Sequence, residues 1–220
     1  MRFLFAAVRG VTAIAIVVAV SATFADSAAS YTVNPFNFFG YFTIQGNIAA
    51  AVVLALAAVV GARGRTQPTW LVFARACAAS YMAVVGLVYN TLLIGLAAGA
   101  AVPWANFVLH VVAPILVVLD WVLFSDRHKL SWRSYPFVLV YPLVWTIVVL
   151  IRGATDGWVP YPFLDPAQGY GVVAIYVVIV ALAFAASGAG AWALTRSRIL
   201  TLPTDPAVPT TASTAVPRAV

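Results

Sequence analysis

Six apolar runs dominate the chain, at residues 3–24, 38–60, 72–98, 102–124, 135–151 and 170–194. A helix needs about 20 residues, at about 1.5 Å each, to cross ~30 Å of hydrocarbon. All but the fifth run reach that length, and Pro136 and Pro142 interrupt the fifth. The runs lack the apolar–polar alternation of barrel strands, so they predict transmembrane helices. The fold class is therefore all-α: a polytopic membrane bundle of about six spans.

Short connections between the runs predict one domain over residues 1–197. The exception is the loop 152–169, where Pro160-Tyr161-Pro162-Phe163 suits a cap at the membrane interface. Residues 198–220 hold several prolines among Thr, Ala and Val, with no helical pattern, and are expected to form a disordered tail.

Composition agrees with the pattern. The chain is 64% hydrophobic and 8% charged, with mean hydropathy +1.00. A soluble domain carries about 25% charged residues, so a water-exposed surface is excluded. Charge then orients the bundle. Eleven of the twelve Lys and Arg residues flank or follow the same ends of the runs, and Arg152 alone falls at the opposite end. The positive-inside rule puts both termini in the cytoplasm and the protein in the cell membrane. The basic pI of 9.8 is thus topological and implies no nucleic-acid partner. Arg2, Arg9 and the Thr23-Phe24-Ala25 step before Asp26 also fit a cleaved signal peptide, although the first run is long enough to span. Cys77 is the sole cysteine, which excludes an internal disulfide and gives no metal framework.

Against this background His110 stands out. It shares the run 102–124 with only one other ionisable group, Asp120. Ionisable side chains at membrane depth usually face a bundle interior or a wet cavity and mark function. Counting from the outer boundary places Thr43 about 7 Å deep and His110 about 10 Å deep. Asn90 falls at a comparable level on the third helix. Asn47 and Asn106 lie one turn from Thr43 and His110 respectively.

Five polar side chains thus converge on one layer if the helices are neighbours. A hydroxyl becomes a nucleophile when a neighbouring imidazole takes its proton, and Thr43 and His110 supply those roles. Asn47 or Asn90 would offer an amide to an oxyanion, and the asparagines, Asn106 included, are the candidate substrate contacts. Interhelical hydrogen bonding is the competing reading for all three. Asp120 lies about 15 Å further along its helix and about 80° round from His110, so a Ser-His-Asp arrangement is excluded. It is expected instead to pair with Arg75 or Arg127, and His128 to sit solvated in a loop. No metal or cofactor is expected: bis-histidine haem ligation needs two membrane histidines at matched depth, and His128 is not one.

These residues carry a resemblance. Tyr41-Phe42-Thr43-Ile44-Gln45-Gly46-Asn47, then Leu109-His110, Pro114 and Asp120-Trp121, followed by Tyr141-Pro142, Arg152-Gly153 and Tyr161-Pro162-Phe163, make the chain resemble an uncharacterised actinobacterial family of six-span membrane proteins. That family is distantly similar to the androgen-induced family of multipass membrane threonine hydrolases, which cleave fatty-acid esters of hydroxy fatty acids with one membrane-embedded Thr and one His. The resemblance implies a Thr43–His110 dyad acting on a membrane lipid ester. The alternative is a non-catalytic membrane protein that binds or transports a lipid or small molecule in the same polar layer.

Overall fold

The computed structural model describes residues 2–95 and 101–200. Among the described residues six helices are long and apolar enough to cross a membrane: α1 (Arg2–Ser30), α2 (Phe42–Ala62), α3 (Thr69–Leu93), α4 (Pro103–Leu123), α5 (Trp132–Thr155) and α6 (Tyr170–Leu194). The expected all-α bundle is present. Its outward positions are themselves apolar, among them Val11, Val52, Ile147 and Ile179. That pattern is what lipid, rather than water, requires of a surface, and it supports a multipass membrane protein.

Local chemistry explains where the helices depart from the apolar runs. α1 continues past the expected limit to Ser30 because no proline or glycine interrupts residues 11–30. It is followed by a single turn, Pro35–Phe38, capped by the Asn34 side chain, which accepts from Phe36 N at 2.9 Å. α5 begins earlier than expected, as a 3-10 segment (Trp132–Leu139) that holds Pro136, and becomes an α-helix from Val140. Proline cannot donate to the i−4 carbonyl, and the tighter winding accommodates it.

α3 is the centre of the packing, touching α2, α4 and α6, while α1 lies against α2 and α4. Ile16 and Ala19 of α1, Leu71, Val72 and Met82 of α3 and Trp192 of α6 are enclosed in the core. Gly188 permits one close approach: a Cβ there would lie 2.8 Å from Val138 Cγ1.

The end of the bundle where α1 starts and α6 finishes is locked by charge. Arg9 Nε donates to Asp120 at 2.6 Å, and its Nη1 and Nη2 donate to Asp126 at 2.6 and 2.7 Å. Arg75 repeats the pattern, donating to Asp120 at 2.6 Å and to Asp126 at 3.0 Å. Gln67 closes the cluster by donating to Asp126 at 2.8 Å and accepting from Arg75 at 2.9 Å. Two cations and two anions are thus neutralised where neither arginine is more than 2% exposed. Burying ions is tolerable only when each charge is paired and hydrogen-bonded, as here for every group except Arg75 Nε, which has no partner among the described residues.

Asp120 therefore has the expected Arg75, with Arg9 as its other cation. Arg127 instead donates to the carbonyls of Phe124 and Leu194 and stacks on Trp121. Burial and the neighbouring Arg75 lower the Arg127 guanidinium to about 10. His128 is exposed in the adjoining loop. Residues 199 and 200, at the start of the expected tail, pair with Leu123 and Ser125. Residues 201–220 lie outside the described residues.

Candidate active site

Two helical irregularities shape the opposite half of the bundle. In α4 the segment Val108–Val112 is wound as a π-helix, and Ala113 N–H reaches back to Val108 O. Pro114 explains the widening, since its ring and missing N–H exclude the usual bond to the carbonyl of His110. In α3 the segment Tyr89–Leu93 is also π-wound. There Asn90 and Thr91 donate their side chains to Gly86 O and Leu87 O at 2.7 Å each, competing with the backbone for those carbonyls. The two segments face each other. The Tyr89 ring stacks on His110 with centroids 4.3 Å apart and planes 24° apart.

His110 is thereby held in one orientation. Its Nδ1 lies 2.9 Å from Asn106 O. A carbonyl only accepts, so Nδ1 carries the proton and Nε2 presents a lone pair. Among the described residues Nε2 has no hydrogen-bond partner. Asn106 holds the other wall in place by donating its amide to Tyr89 OH at 2.7 Å.

Thr43 is at the start of α2, where backbone N–H groups have no partner within the helix. The phenol of Tyr161, from the 152–169 loop, fills that role. Thr43 N–H donates to Tyr161 OH at 3.2 Å, and the Thr43 hydroxyl lies 3.2 Å from the same oxygen. Burial pushes the phenol up to about 12, against the lowering pull of its contacts with Thr43. Tyr161 therefore remains protonated at neutral pH. The loop that delivers it is a folded cap. Tyr161 stacks on Phe163 at 5.4 Å and meets Tyr41 at 5.8 Å. A Cβ at Gly40 would come within 2.6 Å of both Trp158 Cη2 and Phe36 O, so cap and bundle touch there.

α2 and α4 are neighbours at this level. Asn47 Nδ2 donates to Leu109 O at 3.0 Å and to Thr43 O at 2.9 Å, joining the helices through one amide. Both amide protons are spent and Asn47 is fully enclosed, so it holds the site together and contacts neither cavity. Asn90 is exposed, bonded to its own helix, and equally absent from the cavity walls. Of the five polar residues expected in one layer, Thr43, His110 and Asn106 converge.

The residues that sequence reasoning passed over are Tyr89 and Tyr161. Tyr161 was visible only as part of an aromatic, proline-rich cap. Tyr89 sits one position from Asn90, and an aromatic side chain carried no signal against an aromatic background.

Two cavities meet at this point, and Thr43, Tyr89, Leu93, His110 and Tyr161 line both. One, of about 250 Å³, lies between α3, α5 and α6 and is walled by Val84, Leu139, Val177, Val180 and Phe184. Its lining includes Leu143, 60% exposed on the outer face of α5, so it reaches the lipid-facing side of the bundle. The other, of about 410 Å³, is bounded by the end of α1 and by Val102, Asn106 and Pro160, and reaches exposed Tyr31 at the end away from the charge cluster.

The arrangement offers an alcohol, a base with a free lone pair and a phenolic donor around one junction, reachable from lipid. No protein-family model, curated protein or solved structure matches the chain.

Proposed function

We propose that the protein is an intramembrane hydrolase of lipid esters, with Thr43 as nucleophile and His110 as base. The observation that carries this reading is that the Thr43 hydroxyl and an imidazole with a free Nε2 line the same cavities. The resemblance to the androgen-induced threonine hydrolases points to the same two residues. With the basic end of the bundle in the cytoplasm, the site lies in the outer leaflet.

Thr43 Oγ1 is held by Tyr161, so its proton reaches His110 Nε2 after a χ1 rotation or through one bridging water. The oxygen then bonds to the ester carbonyl carbon, and the displaced carbonyl electrons form an oxyanion. Tyr161 donates its phenolic proton in a hydrogen bond to that oxyanion, the role that a sequence reading gives to Asn47 or Asn90. Collapse breaks the bond from carbon to the alcohol oxygen, which takes the proton from Nε2. Water, deprotonated by the same nitrogen, then bonds to the acyl carbon; the bond from that carbon to Thr43 Oγ1 breaks, Oγ1 takes the proton from Nε2 and the acid departs.

Labelling of the full-length protein by a fluorophosphonate tests this directly. Thr43→Ala and His110→Ala each abolish labelling, and Thr43→Ser retains it. Labelling that survives in Thr43→Ala removes Thr43 from the nucleophile's role. The bond between Thr43 and Tyr161 also favours a second reading, a non-catalytic lipid-binding site. That reading predicts lipid binding with no probe reactivity in the wild type.

A further inference from the structure

We infer that the alcohol half of the bound ester is an uncharged polyol, and that Asp26 excludes anionic alcohols. The inference rests on the ester-hydrolase reading of the junction for its division of the ligand into two halves. The cavity between α5 and α6 is walled by aliphatic and aromatic side chains and opens toward lipid, so it takes the acyl chain. The alcohol half then falls on the other side of Thr43 and His110.

That second cavity is different in kind. Thr23, Asp26, Ser27 and Asn106 contribute polar groups to its wall, and no Lys or Arg does so among the described residues. The carboxylate of Asp26 enters none of the ion pairs among the described residues. Residues 96–100, Leu-Ala-Ala-Gly-Ala, bring no charge by sequence. Arg152, the basic residue at this end, is bonded to Asp156 at 2.8 Å and to Asn37 at 2.8 Å and stacks on Trp158.

A second anion entering this wall would meet the like charge of Asp26, with no Lys or Arg among the described lining residues to compensate. Hydroxyl groups instead donate to Asp26 and exchange hydrogen bonds with Ser27 and Asn106. A glycerol-like alcohol fits; a hydroxy acid does not, so the site departs in its alcohol half from the hydroxy-fatty-acid esters cleaved by the hydrolases that the sequence resembles.

The test uses two probes with one acyl chain, the decanoyl ester of glycerol and the decanoyl ester of glycerate. Each is titrated into full-length Thr43→Ala protein in zwitterionic nanodiscs, so that binding is read without turnover. Isothermal titration calorimetry reads occupancy, with empty nanodiscs titrated in parallel to subtract partition of each ester into lipid. The glycerol ester is expected to bind roughly tenfold tighter than the glycerate ester, and Asp26→Asn to reduce the ratio to about twofold or less.

Equal binding of the two esters, or a ratio that Asp26→Asn leaves unchanged, overturns the inference. Hydrolysis of the glycerol ester by the wild type is measured alongside. Absent turnover with charge selectivity intact would fault the hydrolase reading and leave the charge assignment standing. Turnover without selectivity faults the charge assignment alone.

Discussion

At Tyr161 one hydroxyl satisfies a buried backbone N–H and holds the oxygen that would act as nucleophile. Tyr161→Phe keeps the ring stacked on Phe163 but removes both interactions. Loss of an oxyanion donor is expected to lower kcat by about 10²–10³ with little change in KM. The unpaired Thr43 N–H should cost about 1–3 kcal/mol, visible as a lowered Tm in detergent. An unchanged kcat would remove Tyr161 from the reaction. Neighbouring Asn47 belongs to stability instead: Asn47→Leu strips Thr43 O and Leu109 O of a shared donor. It is expected to cost about 1–3 kcal/mol in the same melting assay. The shared level of Thr43 and His110 was legible from their depth and type. That of Tyr161 was not, because a loop aromatic acquires a partner 118 positions away only when the loop folds back.

The element that decides the site is the π-wound turn of α4, and its cause is one residue beyond it. Pro114→Ala restores an N–H able to bond His110 O and lets the helix tighten. The expected result is an unchanged or higher Tm together with fluorophosphonate labelling slowed by about 10²-fold, since the imidazole swings from its contact with Tyr89. Labelling at the wild-type rate would show that the widened turn does not position His110. The apolar run 102–124 contained His110 and Pro114 in plain view. Periodicity, however, assumes 3.6 residues per turn, and a π turn shifts every later side chain off that count. Asn90 shows a different limit: depth alone put it in the polar layer, while α3 presents Tyr89 there.

Across the whole molecule the buried charge cluster ties α1, α3 and α4 at the end where α1 starts and α4 finishes. Asp120→Ala leaves Arg9 and Arg75 each short of an anion and should cost about 3–5 kcal/mol, read as a fall in Tm. A loss below 1 kcal/mol would show that Asp126 alone neutralises both. Asp126 also sets a pH dependence. Burial opposes its charge, but Arg9 and Arg75 outweigh burial and hold the carboxyl below its ordinary value. A carboxylate lowered in this way contributes stability that is complete above about pH 4 and is lost as the pH falls further, through its folded value. Acid titration of Tm should therefore show a drop below about pH 4 that Asp126→Asn weakens. Hydrophobic length and composition by themselves determined six helices, because hydrocarbon demands about 20 apolar residues with every backbone group satisfied internally. Counting residues along the runs likewise brought Thr43 and His110 to one level. Only tertiary structure decided which residues share a cavity, because depth leaves each helix free to rotate and to choose its neighbours. Packing around α3 removed that freedom, gathering Thr43, His110 and Tyr161 at one junction and turning Asn90 outward.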